Sequence, residues 1–157
     1  MTAMTAPVIF RPARRADLEA IVGLIADDGI GRGRESVDHG VEPAYLSAFD
    51  AIERDPNQLM AVAEADEQVI GYMQITFIPG LSRKGAWRGQ LESVRIAAHL
   101  RGRGIGARFF GWAIEQCRAR GCGLVQLTTD RQRGDALRFY ERLGFSASHH
   151  GMKLQLI

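Results

Sequence analysis

A short basic loop rich in glycine is the feature that most constrains the fold of this 157-residue chain. The loop, residues 101–107, reads Arg-Gly-Arg-Gly-Ile-Gly-Ala and follows an apolar run at 91–96. It also opens the stretch 105–120, whose apolar residues have helical spacing. Glycines let a ligand approach the backbone, and the first N–H groups of a helix attract anions. The sequence therefore predicts a strand, a loop and a helix start that together bind a phosphate-bearing ligand.

Length and composition restrict the class of protein. With 46% hydrophobic and 24% charged residues, the chain matches one soluble globular domain, which we place at residues 8–157 after an N-terminal tail at 1–7. A formal charge of +2 gives no reason to expect a nucleic-acid partner. No apolar run approaches the roughly 20 residues of a membrane span, and the tail lacks the features of a signal peptide. Cys117 and Cys122 are interpreted as free thiols in a reducing cytoplasm, and we expect no metal site.

Hydrophobic patterning predicts a mixed α/β domain in the order β-α-α-β-β-β-α-β-α-β-β. About seven strands are predicted at 8–11, 59–65, 68–78, 90–96, 124–129, 145–148 and 152–157. Four helices are predicted at 18–25, 43–54, 104–120 and 135–143. The glycine-rich stretch 29–40 and the stretch 79–89 are predicted to be loops. His39, in the first of these loops, is interpreted as a solvated side chain.

Three phosphate ligands fit a glycine loop of this kind. The pattern Gly102-x-Gly104-x-x-Ala107, with Asp130 about 20 positions later, formally matches a dinucleotide fingerprint. However, five residues, 97–101, separate the strand from the first glycine, so the turn is not the tight one that a dinucleotide site requires. Only 27 residues follow Asp130, which is too few for the remaining βαβ units of a dinucleotide fold. A nucleoside triphosphate loop requires Gly-Lys-Ser/Thr, and this loop contains no lysine. The third candidate is the pyrophosphate of coenzyme A.

A second motif at 135–145, Asp-Ala-Leu-Arg-Phe-Tyr-Glu-Arg-Leu-Gly-Phe, favours coenzyme A. With both motifs the chain resembles the GNAT superfamily of N-acetyltransferases. The family pattern Arg/Gln-x-x-Gly-x-Gly/Ala is matched by Arg101, Gly104 and Gly106. The pattern Asn-x-x-Ala-x-x-Phe-Tyr-x-x-x-Gly-Phe is matched by Ala136, Phe139, Tyr140, Gly144 and Phe145. Its asparagine position is occupied by Arg133, and residues 127–149 bear a weaker resemblance to aminoalkylphosphonate N-acetyltransferases.

The resemblance implies a central, mostly antiparallel sheet and acetyl-CoA as co-substrate. It also implies that the strand before the glycine loop splays from its neighbour, so that its backbone at 94–96 pairs with the pantetheine arm. The residues that it assigns to the cofactor are Val94, Ile96, Arg101, Gly102, Arg103, Gly104, Gly106 and Ala107. Arg133 is a further candidate, because an arginine in the asparagine position could bind a phosphate.

The family chemistry is direct acetyl transfer to a primary amine, and the resemblance implies two catalytic residues. Glu92 is the candidate base that removes a proton from the amine, and we expect it to be partly buried. Tyr140 is the candidate acid, because a phenol is protonated at pH 7 and can donate a proton to a departing thiolate.

The acceptor amine is less constrained by the sequence. Arg83, Lys84 and Arg88 make the loop at 79–89 basic, which favours a small molecule with an acidic group. A protein amine is an alternative acceptor, and a non-catalytic acyl-CoA-binding sensor is an alternative function. Family members often form dimers, so the resemblance also implies a possible homodimer.

Overall fold

Five strands form one sheet in the computed structural model, which describes residues 6–27 and 40–156. The strands are β1 (Ile9–Pro12), β2 (Gln58–Ala65), β3 (Gln68–Ile78), β4 (Trp87–Ile96) and β5 (Cys122–Leu127). They lie in chain order across the sheet. The first three pairings are antiparallel, and β4 and β5 are parallel. The predicted mixed α/β fold with a mostly antiparallel sheet is therefore confirmed.

Helices pack on both faces of this sheet. The described part of the chain contains α1 (Leu18–Ala26), α2 (Pro43–Arg54), α3 (Ser82–Gly85), α4 (Ile105–Ala119) and α5 (Gly134–Arg142). Among residues 6–27 and 40–156, no helix combines the length and the apolar character that crossing a membrane requires. The α4 helix makes the crossover between the parallel strands β4 and β5, as parallel pairing demands.

The alternation along β3 divides the core between the two faces. Met73, Ile75 and Phe77 belong to the larger cluster, which includes the buried residues of α4. Tyr72 belongs to the smaller cluster, which α1 and α2 cover. Because successive strand residues point to opposite faces, Gln74 and Thr76 lie on the same face as Tyr72. That face is apolar beneath α1 and α2 and polar beyond them.

The element counts differ from the predicted ones. The described residues form five strands rather than about seven, because residues 145–156 make no strand ladder with β5. Alternating residues form a strand only when a neighbouring strand accepts their hydrogen bonds, and Met152, Leu154 and Leu156 are exposed instead. The fifth helix, α3, is a single turn in the predicted 79–89 loop. Most of the predicted loop at 29–40, with His39, lies outside the described residues.

An ion cluster fixes β1 to the start of α1. The guanidinium of Arg11 donates to both carboxylate oxygens of Asp17, at 2.7 and 2.9 Å, and its Nε donates to Glu64 at 2.8 Å. The backbone N–H of Arg14 also donates to Asp17, which is only 8% exposed. The hydrogen bond from Arg11 holds the pKa of the Asp17 carboxyl below its ordinary value of 3.8.

We expect Asp17→Asn to lower the free energy of unfolding by about 3 kcal/mol, because the substitution leaves a half-buried guanidinium short of a charged partner. The contribution of Asp17 to stability is present above pH 3.8 and is lost as pH falls through its lower folded pKa. Urea unfolding at pH 7 and at pH 2 measures this difference. Asp50→Asn, which breaks an exposed pair with Arg15, is the control and should cost under about 1 kcal/mol. An equal loss for Asp17→Asn at both pH values would contradict the ionic explanation.

Candidate active site

The glycine loop leaves open space at the start of α4. Gly102 and Gly104 have φ values of 77° and 76°, a left-handed conformation that favours glycine. A Cβ added at either position would find no atom within 4 Å apart from the adjacent residues. The backbone N–H of Arg108 donates to the carbonyl of Gly104, which is the first bond of the helix. The N–H groups of residues 105–107 therefore precede the helical ladder and are available to an anion.

The arginines of the loop are exposed to solvent, whereas Gly106 packs against neighbouring elements. Arg101 and Arg103 are exposed, and Arg101 donates from Nε to the carbonyl of Ile96 at 3.0 Å. Gly106 serves packing, because a Cβ there would lie 3.6 Å from the Phe139 ring and 3.9 Å from the Ile96 side chain. Gly106 therefore lets α4 pack closely on β4 and α5, and Ala107 is half-buried.

The strands β4 and β5 separate next to this loop. Their ladder ends at the pair Leu91 and Leu127, although β4 continues to Ile96. A bulge lies in the same segment, since Tyr72 pairs with Arg95 and Gln74 pairs with Glu92, which leaves one extra residue on β4. Ser93, inside the bulge, has a left-handed φ of 54°. Beyond Leu91, β4 therefore pairs with β3 on one side, and its other edge has no neighbouring strand among the described residues.

A cavity of about 340 Å³ fills the gap between the separated strands. Four of the predicted site residues line it: Glu92, Val94, Arg133 and Tyr140. Arg95 and Lys153 also line it, although neither belongs to a motif in the sequence. The lining does not include Ile96 or residues 101–107, which follow the lining part of β4 along the chain. The structure thus brings the two predicted catalytic residues to the lining of one cavity.

Tyr140 presents its ring to an aromatic cluster and also borders the cavity. The ring packs edge-on against Phe110 at 5.5 Å and Phe145 at 6.2 Å between centroids. Burial raises the pKa of the Tyr140 phenol, whereas the charges of Arg133 and Arg95 lower it. Burial has the larger effect, so the hydroxyl is protonated at neutral pH.

Glu92 lies on the sheet face that carries Tyr72 and Gln74. Burial raises the pKa of Tyr72 to about 12, and the negative charge of Glu92 contributes to this rise. The expectation that Glu92 is partly buried is wrong, because the residue is exposed. The physical reason is the divergence of β5, which covers β4 only as far as Leu91.

Arg133 occupies the N-cap position of α5, where the family pattern has asparagine. Its side chain makes no capping bond to the helix, and its backbone N–H donates to the carbonyl of Asp130 at 3.0 Å. Its positive charge lowers the pKa of the Tyr140 phenol, and both side chains line the cavity. An arginine side chain is a poor helix cap, and its charge instead makes the cavity more positive.

Comparison with known proteins identifies the family of this chain. Residues 29–145 match the family model for the acetyltransferase (GNAT) family, which covers more than half of the chain. The chain belongs to this family of acyltransferases.

Three relatives illustrate the match. The aminoalkylphosphonate N-acetyltransferase of Salmonella typhimurium is 32% identical over 106 residues, or 68% of each chain. The crystal structure of a transcriptional regulator from Bacillus halodurans C-125 is 47% identical, with a TM-score of 0.92 over 96% of this chain and 100% of that one. An aminoglycoside N-acetyltransferase in complex with CoA is 16% identical and shares the fold, with a TM-score of 0.79 over 99% of this chain and 98% of that one.

Proposed function

We propose that this protein transfers the acetyl group of acetyl-CoA directly to the primary amine of a small molecule that carries an acidic group. The observation that carries the proposal is the cavity between β4 and β5. It brings Glu92 and Tyr140 to one lining, and an open glycine loop follows the cavity-lining strand β4 in the chain. A carboxylate and a protonated phenol at one cavity can serve as general base and general acid.

The residues around the cavity fit coenzyme A. The open space at Gly102 and Gly104, with the early N–H groups of α4, suits a pyrophosphate, and Arg101 and Arg103 add positive charge. Beyond Leu91, the β4 backbone can pair with an extended amide-containing arm, as in strand addition. The carbonyl of Val94 accepts a bond from Arg95 Nη1 at 2.9 Å, and that of Ile96 from Arg101. Each of these carbonyls keeps a second lone pair that can accept a hydrogen bond from the arm.

The chain's own residues have two chemical tasks in this proposal. The bound thioester supplies an activated acetyl carbon, at which a C–N bond forms and the C–S bond breaks. Glu92 accepts the proton that the amine loses, through a water molecule. Tyr140 donates its phenolic proton to the sulfur that departs, and the positive charge of Arg133, on the same cavity lining, stabilises the phenolate that remains. The divergent strands position the reactants for attack.

A second, larger cavity supports the acidic acceptor. Its volume is about 1220 Å³, and it shares Arg133 and Tyr140 with the smaller cavity. Arg83 and Arg88 also line it. A guanidinium binds carboxylate or phosphonate through paired hydrogen bonds, so these arginines suit a small anionic acceptor. The name of the Salmonella relative, which refers to an aminoalkylphosphonate, is consistent with this class.

Thermal melting tests the assignment of the cofactor. We expect acetyl-CoA at 100 times its dissociation constant to stabilise the fold by about 2.7 kcal/mol. NAD at the same concentration should leave the melting temperature unchanged. A melting temperature raised by NAD and unaffected by acetyl-CoA would contradict the assignment.

Gly104 offers a sharper test with a matched control. Gly121 has nearly the same φ, 75°, and also has open space around it, but it lies at the opposite end of α4. We expect Gly104→Val and Gly121→Val each to lose about 1–2 kcal/mol of stability from backbone strain. Only Gly104→Val should weaken acetyl-CoA binding in calorimetry, by at least tenfold, because its side chain enters the space proposed for the pyrophosphate. Equal affinities in the two variants would refute this role of Gly104.

A non-catalytic sensor of acyl-CoA is the second candidate. The relative from Bacillus halodurans, a transcriptional regulator, favours it. A sensor needs the glycine loop but neither Glu92 nor Tyr140. Both functions require cofactor binding, so a measurement of turnover distinguishes the enzyme from the sensor. The homodimer and the cytoplasmic location remain predictions.

A further inference from the structure

Beyond the helices α1 and α2, the sheet carries a row of neutral polar side chains. The row, here called the amide row, consists of Gln58, Gln74, Thr76, Gln90 and Gln126. Four of these residues are half-buried, and Gln126 is exposed. They come from four neighbouring strands, β2 to β5, and lie on one face of the sheet, where Gln90 and Gln126 line the larger cavity.

Hydrogen bonds connect the members of the amide row. Gln58 Oε1 accepts from Gln74 Nε2 at 3.1 Å and from Thr76 Oγ1 at 2.9 Å. Gln90 Oε1 accepts from Gln126 Nε2 at 2.6 Å. Each amide has two donor hydrogens and two acceptor lone pairs, so these bonds use only part of the capacity of the row. The bonds fix the orientation of the amides and leave further donors and acceptors for a ligand.

On the sheet face that carries the amide row, three polar side chains follow one another along β4. Arg88, Gln90 and Glu92 alternate with the inward-facing Gly89 and Leu91, so they share a face with about 6.7 Å between successive residues. The order is a cation, a neutral amide and a carboxylate. The carboxylate is the proposed base, so the amine of the acceptor belongs at that end.

The neutral amide of Gln90, between Arg88 and Glu92, indicates the class of acceptor. An apolar linker between the amine and the acid would cover the remaining donors and acceptors of these half-buried amides without pairing them, which costs free energy. Hydroxyl groups, which both donate and accept, satisfy amides of this kind. Arg88 then meets the anionic group, and it and Gln90 line the larger cavity.

Building on the proposed function, we infer that the acceptor is a polyhydroxylated primary amine with an anionic group, and that the amide row recognises its hydroxyls. Such a molecule presents an ammonium to Glu92, hydroxyls to Gln90 and its neighbours, and an anion to Arg88. A short acidic amine without hydroxyls satisfies only Arg88 and Glu92.

Paired acceptors test this inference. Glucosamine 6-phosphate and O-phosphoethanolamine both carry an amine and a phosphate, but only the former has a polyol between them. We expect kcat/KM for glucosamine 6-phosphate, measured as thiol release from acetyl-CoA, to be at least tenfold higher. Gln90→Leu should raise KM for glucosamine 6-phosphate at least tenfold, with little change in kcat, and should leave KM for O-phosphoethanolamine unchanged.

Two further variants protect the test against a folding defect. Thr76→Val removes a hydroxyl of the amide row at nearly constant volume and should act in the same direction as Gln90→Leu. Gln68→Leu makes the same substitution as Gln90→Leu at the exposed hairpin end of β3, outside the row, and should change neither constant. Equal kcat/KM for the two acceptors, or equal effects of Gln90→Leu on both, would overturn the inference. No thiol release with any amine would instead overturn the proposed function itself.

Discussion

We expect the Glu92→Gln variant to turn over acetyl-CoA about 10²–10⁴ times more slowly than the unchanged protein, the range typical of a lost general base. Glutamine keeps the size and position of the side chain on β4 and removes only its ability to accept the proton. Calorimetry should therefore show unchanged affinity for acetyl-CoA. The matched control is Glu67→Gln in the β2–β3 turn, an exposed glutamate far along the chain from the cavity.

The pH dependence of the Glu92→Gln defect distinguishes catalysis from structure. At high pH more of the free amine is already deprotonated, so the defect should become smaller as pH rises. A defect of constant size from pH 6 to pH 10 would contradict the role of base and would assign Glu92 to substrate positioning or to the fold.

Tyr140→Phe should reduce turnover at least tenfold, which corresponds to about 1.4 kcal/mol of barrier. The substitution keeps the ring that packs on Phe110 and removes only the hydroxyl. Burial raises the pKa of Tyr140, so its proton is present throughout the neutral range and the defect should persist from pH 6 to pH 9. The melting temperature and the acetyl-CoA affinity should both stay near their original values.

The measurement for Tyr140→Phe requires an acceptor for which the chemical step limits the rate. Full activity under that condition would remove Tyr140 from the mechanism and leave the thiolate to be protonated by water. If both proton transfers occur in one step, Tyr140→Phe and Glu92→Gln should be less than additive when combined.

Proline and turn residues in the sequence were sufficient to predict the bounds of two elements, α2 and β3. The bounds of α2 were predicted as Pro43–Arg54, because proline is favoured in the first turn of a helix. The bounds of β3 were also predicted, since Asp66 and Glu67 mark a two-residue turn between alternating runs. Both residues have a positive φ in the structure, as a hairpin turn of this type requires.

The shape of the site depends on long-range pairing, which the sequence does not display. The β4 strand begins at Trp87 rather than at residue 90 because its early residues pair with β5, more than 30 positions later. Nothing local indicates that Ser93 adopts a left-handed φ in the bulge or that the ladder ends at Leu91. For the same reason, the exposure of Glu92 was not foreseen.

The amide row could be predicted from the sequence only in part. Gln74 and Thr76 on β3 are two residues apart, so the sequence alone places them on one face. Their alignment with Gln90 and Gln126 requires the register of three strands. Recognition of the acceptor therefore depends on pairing, whereas the glycine loop that indicates the cofactor is contiguous in the sequence.

The release of free thiol from acetyl-CoA in the presence of amines tests the central claim most directly. The panel consists of glucosamine 6-phosphate, O-phosphoethanolamine, polyamines and a peptide with a free N-terminus. We predict thiol release that depends on the amine, in equal amount to the N-acetylated product, and fastest with an anionic small molecule. Stabilisation by acetyl-CoA without thiol release from any amine would contradict the claim, and the protein would then be a sensor of acyl-CoA.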